Sequence, residues 1–173
     1  NRNEDTEICL VALNVIGDFV PSSARREISL PTYSDDYSNP VSDISFSPSG
    51  EMLLAERAMY SDAQSTAHQA RALEYAPSWT LINTYEVGEL TGNDSAGGVD
   101  YDYADDSAWA TGDALRFHAT SLVYALQGFL SPTTLAGSVI IDLNGLGASD
   151  AREAASRVTN VVSKMGRRVA IVG

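Results

Sequence analysis

One pattern of apolar and polar residues occurs twice in this chain. Residues 41–57 read VSDISFSPSGEMLLAER, and residues 96–113 read AGGVDYDYADDSAWATGD. At a shift of 55 positions, without a gap, Ile44 falls on Val99, Phe46 on Tyr101, Ser49-Gly50 on Ala104-Asp105 and Leu53-Leu54 on Ala108-Trp109. Each copy is an alternating strand, a tight polar turn and a second apolar strand. A hairpin recurring at a fixed period is the signature of a repeat architecture. In the first copy Val41 or Ile44 and Phe46 are expected to face inward, and Ser47-Pro48-Ser49-Gly50 supplies the turn, with Pro presetting φ and Gly free to take a positive one.

The segments around the repeat extend it. Residues 8–16 (ICLVALNVI) read as a buried strand stopped by Gly17-Asp18, and Arg26–Leu30 as a short strand before Pro31. Residues 31–40 are a polar loop closed by two prolines, and residues 58–69 a longer one. Ala70–Tyr75 and Trp79–Val87 are two more strands after the first hairpin, which makes four antiparallel strands in series. After the glycine-rich connection 88–98, the second unit runs Val99–Tyr103, Ser107–Thr111, Leu122–Gln127 and Ser138–Leu143. The tail changes period. Ser149 or Asp150 suits an N-cap, and Ala151, Ala154, Ala155, Val158, Val161, Val162 and Met165 recur at helical spacing up to Gly166, ahead of a last strand, Val169–Val172.

The expected fold is therefore mainly β, built from antiparallel four-stranded units with one C-terminal helix. Its parts are N-terminal strands and loop (1–40), a first unit (41–95), a second (96–143), and a helix plus closing strand (144–173). The run SDISFSPSGEMLLAER resembles the innermost hairpin of a β-propeller blade, and the likeness covers about residues 41–143. The resemblance implies blade-like units. A propeller needs at least four blades to close, so the chain is expected to be a piece of a larger ring or to be completed by other chains, and the remaining alternative is a β-sandwich or open sheet covered by the terminal helix. That the chain begins with Asn1 agrees with a piece of a longer or processed polypeptide.

Composition narrows the partners. With 173 residues and 44% apolar content, the chain has enough material for a real core. The net charge is −12. No Lys or Arg lies between Arg71 and Arg116, a stretch that holds Glu74, Glu86, Glu89, Asp94, Asp100, Asp102, Asp105, Asp106 and Asp113. Such a surface repels phosphate backbones, which excludes nucleic acid as the expected partner. No apolar run reaches the roughly 18 residues of a membrane-spanning helix. Cys9 is alone, so no internal disulfide is expected, and its apolar neighbours predict a buried thiol. Asp100 and Asp102 alternate outward on their strand.

A hairpin returns the chain to its starting side, so the long loops of both units gather at one end. That end carries Asp43, Glu56, Arg57, His68, Arg116 and His118 as a candidate partner or ligand face. Asn93, Asp94 and Asp113 are the candidate metal ligands, and calcium, a hard cation favouring carboxylate and carbonyl oxygens, is the candidate cofactor. No GxSxG, HExxH or CxxC motif occurs. The leading expectation is a non-enzymatic, extracytoplasmic or secreted binding or structural module, a propeller-type surface or assembly protein. The alternative is a metal-dependent hydrolase of the lactonase kind with Glu56, Asn93 and Asp113 as ligands. A third is an α/β regulatory module around residues 138–173, which predicts a parallel sheet.

Overall fold

The computed structural model describes residues 6–30, 38–61, 63–104, 107–118, 123–129 and 133–142. Among the described residues twelve strands follow one another: β1 (Thr6–Leu10), β2 (Arg25–Leu30), β3 (Val41–Phe46), β4 (Met52–Glu56), β5 (Met59–Ser61), β6 (Gln64–Ser65), β7 (Ala72–Tyr75), β8 (Leu81–Tyr85), β9 (Ser95–Asp102), β10 (Ser107–Gly112), β11 (Ala125–Phe129) and β12 (Ser138–Asp142). β3-β4-β7-β8 form one four-stranded sheet and β9-β10-β11-β12 another, while β1-β2 and β5-β6 are two-stranded. Every ladder is antiparallel. The third expectation is corrected here: β12 pairs antiparallel with β11, so no parallel sheet is built on residues 138–142. The expected helix at 150–165 and the strand at 169–172 lie outside the described residues, as does the Asp105-Asp106 turn pair.

Side-chain alternation turns the first sheet into the middle of three layers. Leu53, Ala55, Ala72 and Tyr85 share one core with Val99, Tyr101, Ala108, Ala110 and Phe129 of the second sheet. On the other face, Met52, Leu54, Leu73 and Tyr75 pack under Ile28 and Leu30 of β2. The order is thus β1-β2, then the first sheet, then the second. β9 approaches β3 and β4 closely, whereas farther out the gap between the sheets is filled by the Tyr85 and Phe129 rings, 4.8 Å between centroids. Small residues line the narrow side. A Cβ on Gly97, whose φ is +97°, would sit 2.6 Å from Ser42 Oγ. That hydroxyl donates to the Gly97 carbonyl at 2.8 Å, Ser45 Oγ donates to Asp100 at 2.8 Å, and the Val99 N–H donates to Asp43 at 3.1 Å. Residues 55 or 56 positions apart in sequence therefore meet side by side.

The repeat alignment needs one correction. In the first hairpin Phe46 pairs with Met52, and in the second Tyr101 pairs with Ala108. The shift is 55 along the first strand and 56 along the second, because the second hairpin is one residue longer. Leu54 matches Ala110 rather than Trp109. A second correction concerns burial. Phe46 is 48% exposed and Ile44 is also exposed, while Tyr101 is 2% exposed. The direction is equivalent and the surroundings are not. Ile44 and Phe46 share the face of Met52 and Leu54, toward the β1-β2 layer. Val99 and Tyr101 face the first sheet. The β1-β2 hairpin covers β4 and β7 and leaves β3 open, whereas the four-stranded sheet covers β9 fully.

Further expectations give way. Residues 8–16 are not one buried strand: β1 stops at Leu10, and Val15 and Ile16 are exposed. Cys9 is exposed, because it lies on the outer face of a two-stranded layer covered on one side only. Asp102 is buried, not outward. β9 starts at Ser95 within the expected glycine-rich connection, and β5 and β6 occupy part of the expected loop 58–69. The SPSG turn is as read, with Gly50 at φ +95° and the Gly50 N–H donating to Ser47 at 3.1 Å. Hydrogen bonds from Ser47 and Ser49 to Glu51 hold that carboxyl below the ordinary range.

One polar cluster sits inside the shared core. The buried Glu74 carboxylate of β7 accepts the Tyr101 hydroxyl of β9 at 2.5 Å, the Tyr85 hydroxyl at 3.0 Å and the Asn83 amide. A buried carboxylate is tolerated only when its lone pairs are filled, and here neutral donors from both sheets fill them. Burial, then the bond to Glu74, holds the Tyr101 hydroxyl far above its ordinary value of 10.0. The folded state therefore keeps the proton that an unfolded Tyr101 sheds above pH 10, so this contribution is intact below pH 10 and declines above it. Tyr101→Phe should flatten the loss of stability between pH 9 and 11 in urea titrations. Glu74→Ala, which removes the shared acceptor of two tyrosine hydroxyls and an amide, should cost about 2–4 kcal/mol of unfolding free energy at pH 7.

Candidate functional site

The two ends of the sheets differ. At one end sit the short turns 47–51 and 76–80. At the other, three longer segments follow β4, β8 and β10: residues 57–71, 86–94 and 113–118. Backbone bonds knit these three together. The Ala70 N–H donates to Asn93 at 2.8 Å, the Asp113 N–H to Asp94 at 2.9 Å and the Glu89 N–H to Leu115 at 3.0 Å.

The carboxylates of this rim are engaged. Glu56, fully buried at the end of β4, receives the Arg71 backbone N–H at 3.1 Å, Arg71 Nε at 2.8 Å and a further Arg71 guanidinium bond. Such a two-pronged pair gives both oxygens of a buried carboxylate charge-assisted donors. Arg57 spans the two units, donating to Asp113 at 2.5 Å and to Ser65 at 3.2 Å. Asp94 is fully buried. Its carboxylate meets His68 Nδ1 at 2.8 Å and accepts Thr91 Oγ1 at 2.9 Å and the Leu90 N–H at 3.3 Å.

His68 is the most constrained residue of the rim. Its φ is +63°, a conformation rarely taken by a residue with a Cβ, and such strain collects where surrounding contacts over-determine the backbone. The contacts are visible here. Asp94 fixes the Nδ1 side, Thr91 Oγ1 donates to the His68 carbonyl at 3.0 Å, and the Phe117 ring meets the imidazole edge-on at 5.4 Å. Phe117 stands equally edge-on to His118 at 5.7 Å. Arg116, Phe117 and His118 are exposed.

The structure therefore brings together Glu56, Arg57, His68, Asn93, Asp94 and Asp113, with Arg116 and His118 on the adjoining turn. Asp43 is apart from them: its carboxylate accepts the backbone N–H groups of Val99 and Ile44, at 3.1 and 3.0 Å, and ties β3 to β9. Among the described residues no group of three or more His, Cys, Asp and Glu side chains is placed to hold a metal ion. Of the residues proposed for calcium, Asp113 accepts from Arg57, Asp94 meets His68, Thr91 Oγ1 and the Leu90 N–H, and the Asn93 side-chain amide donates to the Thr91 carbonyl at 3.2 Å. Sequence reasoning missed Arg71, Thr91 and Phe117. Arg71 carried a usable signal, as the last cation before a long cation-free stretch that needs a counter-charge.

Comparison with protein-family models, with curated proteins and with solved structures finds no match. No helix among the described residues is long and apolar enough to cross a membrane.

The Asp94 side chain joins two of these loops, 57–71 and 86–94, so its loss should be felt in both. Asp94→Ala is expected to destabilise the fold by about 2–3 kcal/mol, with faster amide exchange at Leu90 and His68 than in the strands. Arg57→Ala breaks a pair that is still partly solvated and should cost about 1 kcal/mol or less. Urea melts of the two variants, read with hydrogen exchange, check this ranking.

Proposed function

We propose that this chain is part of a propeller-type binding or structural module without catalytic chemistry, whose loop rim receives a protein partner. The observation that carries the reading is the layer order. The chain leaves the outermost strand of one four-stranded meander, β8, and enters the first strand of the next, β9, which packs beside β3 and β4. In both units the apolar residues of the first strand point back at the preceding layer. An arrangement with that rule propagates, and the described strands show both of its ends open. Ile44 and Phe46 lack a cover on one side, and Val139 is exposed on the other. Further strands, from a longer polypeptide or from other copies, would complete the ring.

The rim supports binding more than turnover. Its carboxylates are engaged by arginine, histidine and backbone donors, which makes a stiff platform on which Arg116, Phe117 and His118 are presented. Function in such folds sits in long loops on a rigid scaffold. The hydrolase alternative asks Glu56 and Asp113 for free oxygens, but Arg71 engages both oxygens of Glu56 and Arg57 engages Oδ2 of Asp113.

Cryo-electron microscopy of the native, full-length polypeptide or its assembly tests the ring. The expected map shows β3 and β9 lining a common axis and a further sheet covering Phe46. A closed particle in which Phe46 faces solvent overturns the reading. Turnover of simple lactones on addition of calcium or manganese, abolished by Asp113→Ala, would sink the non-catalytic part.

A further inference from the structure

The β1-β2 hairpin continues beyond its ladder as a finger. The Val20 N–H donates to Ala12 at 2.9 Å, Leu13 and Phe19 form an antiparallel bridge, and the Asn14 N–H donates to Asp18 at 2.9 Å. At the tip, Asn14 Oδ1 accepts the N–H groups of Ile16 and Asp18 at 3.0 and 2.9 Å, and the Gly17 N–H donates to the Asn14 carbonyl at 3.0 Å. The turn thus satisfies much of its own polar backbone. What it presents outward is apolar: Leu13, Val15, Ile16 and Phe19 are 59%, 103%, 79% and 74% exposed. Single exposed apolar side chains are ordinary, but a contiguous group on one ordered projection marks an interaction surface.

The charge pattern selects the partner. Between Ile8 and Ala24 the one charged residue is Asp18, at the tip. The root carries Arg25 and Arg26, whose surface pairs with Glu27 and Glu7 leave both guanidinium groups largely open. A negative tip, an apolar shaft and a root that is neutral overall, but whose two arginines keep open N–H donors beside their glutamates, make a surface that complements itself when one copy is laid antiparallel on another. A twofold contact requires that property. A bilayer suits the finger less, because Asp18 beside Phe19 would have to enter the hydrocarbon with it. The −12 net charge of each chain does not forbid the contact. At about 3.3 Å per residue the finger reaches roughly 15–20 Å from its root, past the ~8 Å screening length of physiological salt.

We propose that the finger is a homotypic dimerisation device. Two copies pair their fingers antiparallel across a twofold axis, burying Leu13, Val15, Ile16 and Phe19 of each. The Asp18 carboxylate of one then faces Arg25 and Arg26 of the other. The contact is independent of the rim and of ring closure, and either can hold without the other.

Sedimentation velocity from 1 to 100 µM at 150 mM salt, on the chain and its finger variants, tests this. The unaltered chain should form a concentration-dependent dimer. Val15→Asp combined with Ile16→Asp, at sites already in water, should leave the thermal melt unchanged and yield monomer throughout. Asp18→Arg should weaken the dimer about tenfold, a single ion-pair effect of the usual interfacial size, and adding Arg26→Glu should recover most of that loss. A chain that stays monomeric at 100 µM overturns the proposal. So does a dimer indifferent to the Val15 and Ile16 substitutions. Flotation of a monomeric chain with phosphatidylcholine vesicles, abolished by the same two substitutions, would assign the finger to lipid instead.

Discussion

β9 belongs to the second sheet by hydrogen bonding and to the first by packing, and the rest of the molecule depends on that double membership. Its apolar residues, Val99 and Tyr101, complete the core of the first sheet. Its N–H and C=O groups meet Asp43 and Ser42 across the narrow side of the wedge. Its Tyr101 hydroxyl closes the Glu74 cluster. Dispersion and burial alone would let two apolar faces slide over one another, since both are non-directional. The Glu74, Asp43 and Ser45 bonds are directional, and they select one register among those that bury equal area. The small residues beside β3 and the rings of Tyr85 and Phe129 farther out then set the angle at which the sheets diverge.

Much of this was legible in the residues, and what was not has identifiable causes. β4 is found at the span read for it, and β3, β8 and β12 within a residue or two, because alternation between turn residues is a local signal. The start of β9 was not, because Gly97 and Gly98 look like linker until Ser42 and Thr111 are seen to need the space of a missing side chain. The one-residue lengthening of the second hairpin is invisible to an ungapped comparison. Burial was the weakest reading. Ile44, Phe46, Cys9 and the run ending at Ile16 were judged by their apolar character, and burial is decided by whether a second layer exists to cover them. No local pattern encodes that.

The rim was legible as a place and not as chemistry. Loop length and the return of each hairpin put Glu56, Arg57, His68, Asp94 and Asp113 at one end, as found. Which acid meets which base was beyond the pattern, because the partners are separated by 15 residues for Glu56 and Arg71, 26 for His68 and Asp94, and 56 for Arg57 and Asp113. Those separations explain what the charges accomplish. Arg57 and Asp113 join the two units, while His68 and Asp94 join the loop after β4 to the loop before β9. In a chain of net charge −12, pairing its few cations across such distances offsets self-repulsion where it is greatest and stiffens the loops at the same time.

A rim stiffened in this way and a finger left bare obey the same economy of contacts. The buried carboxylates Glu56, Glu74 and Asp94 acquire partners, whereas several apolar groups stay in water at both ends of the layer stack and on the finger. Leaving a carboxylate buried without donors costs several kcal/mol, while an exposed Val or Phe forgoes only about 1.5–3 kcal/mol of possible burial. A chain can carry several of the second kind and almost none of the first. The uncovered residues are therefore positions where association would add stability without disturbing the fold, and they are segregated into two open sheet faces and one projecting hairpin.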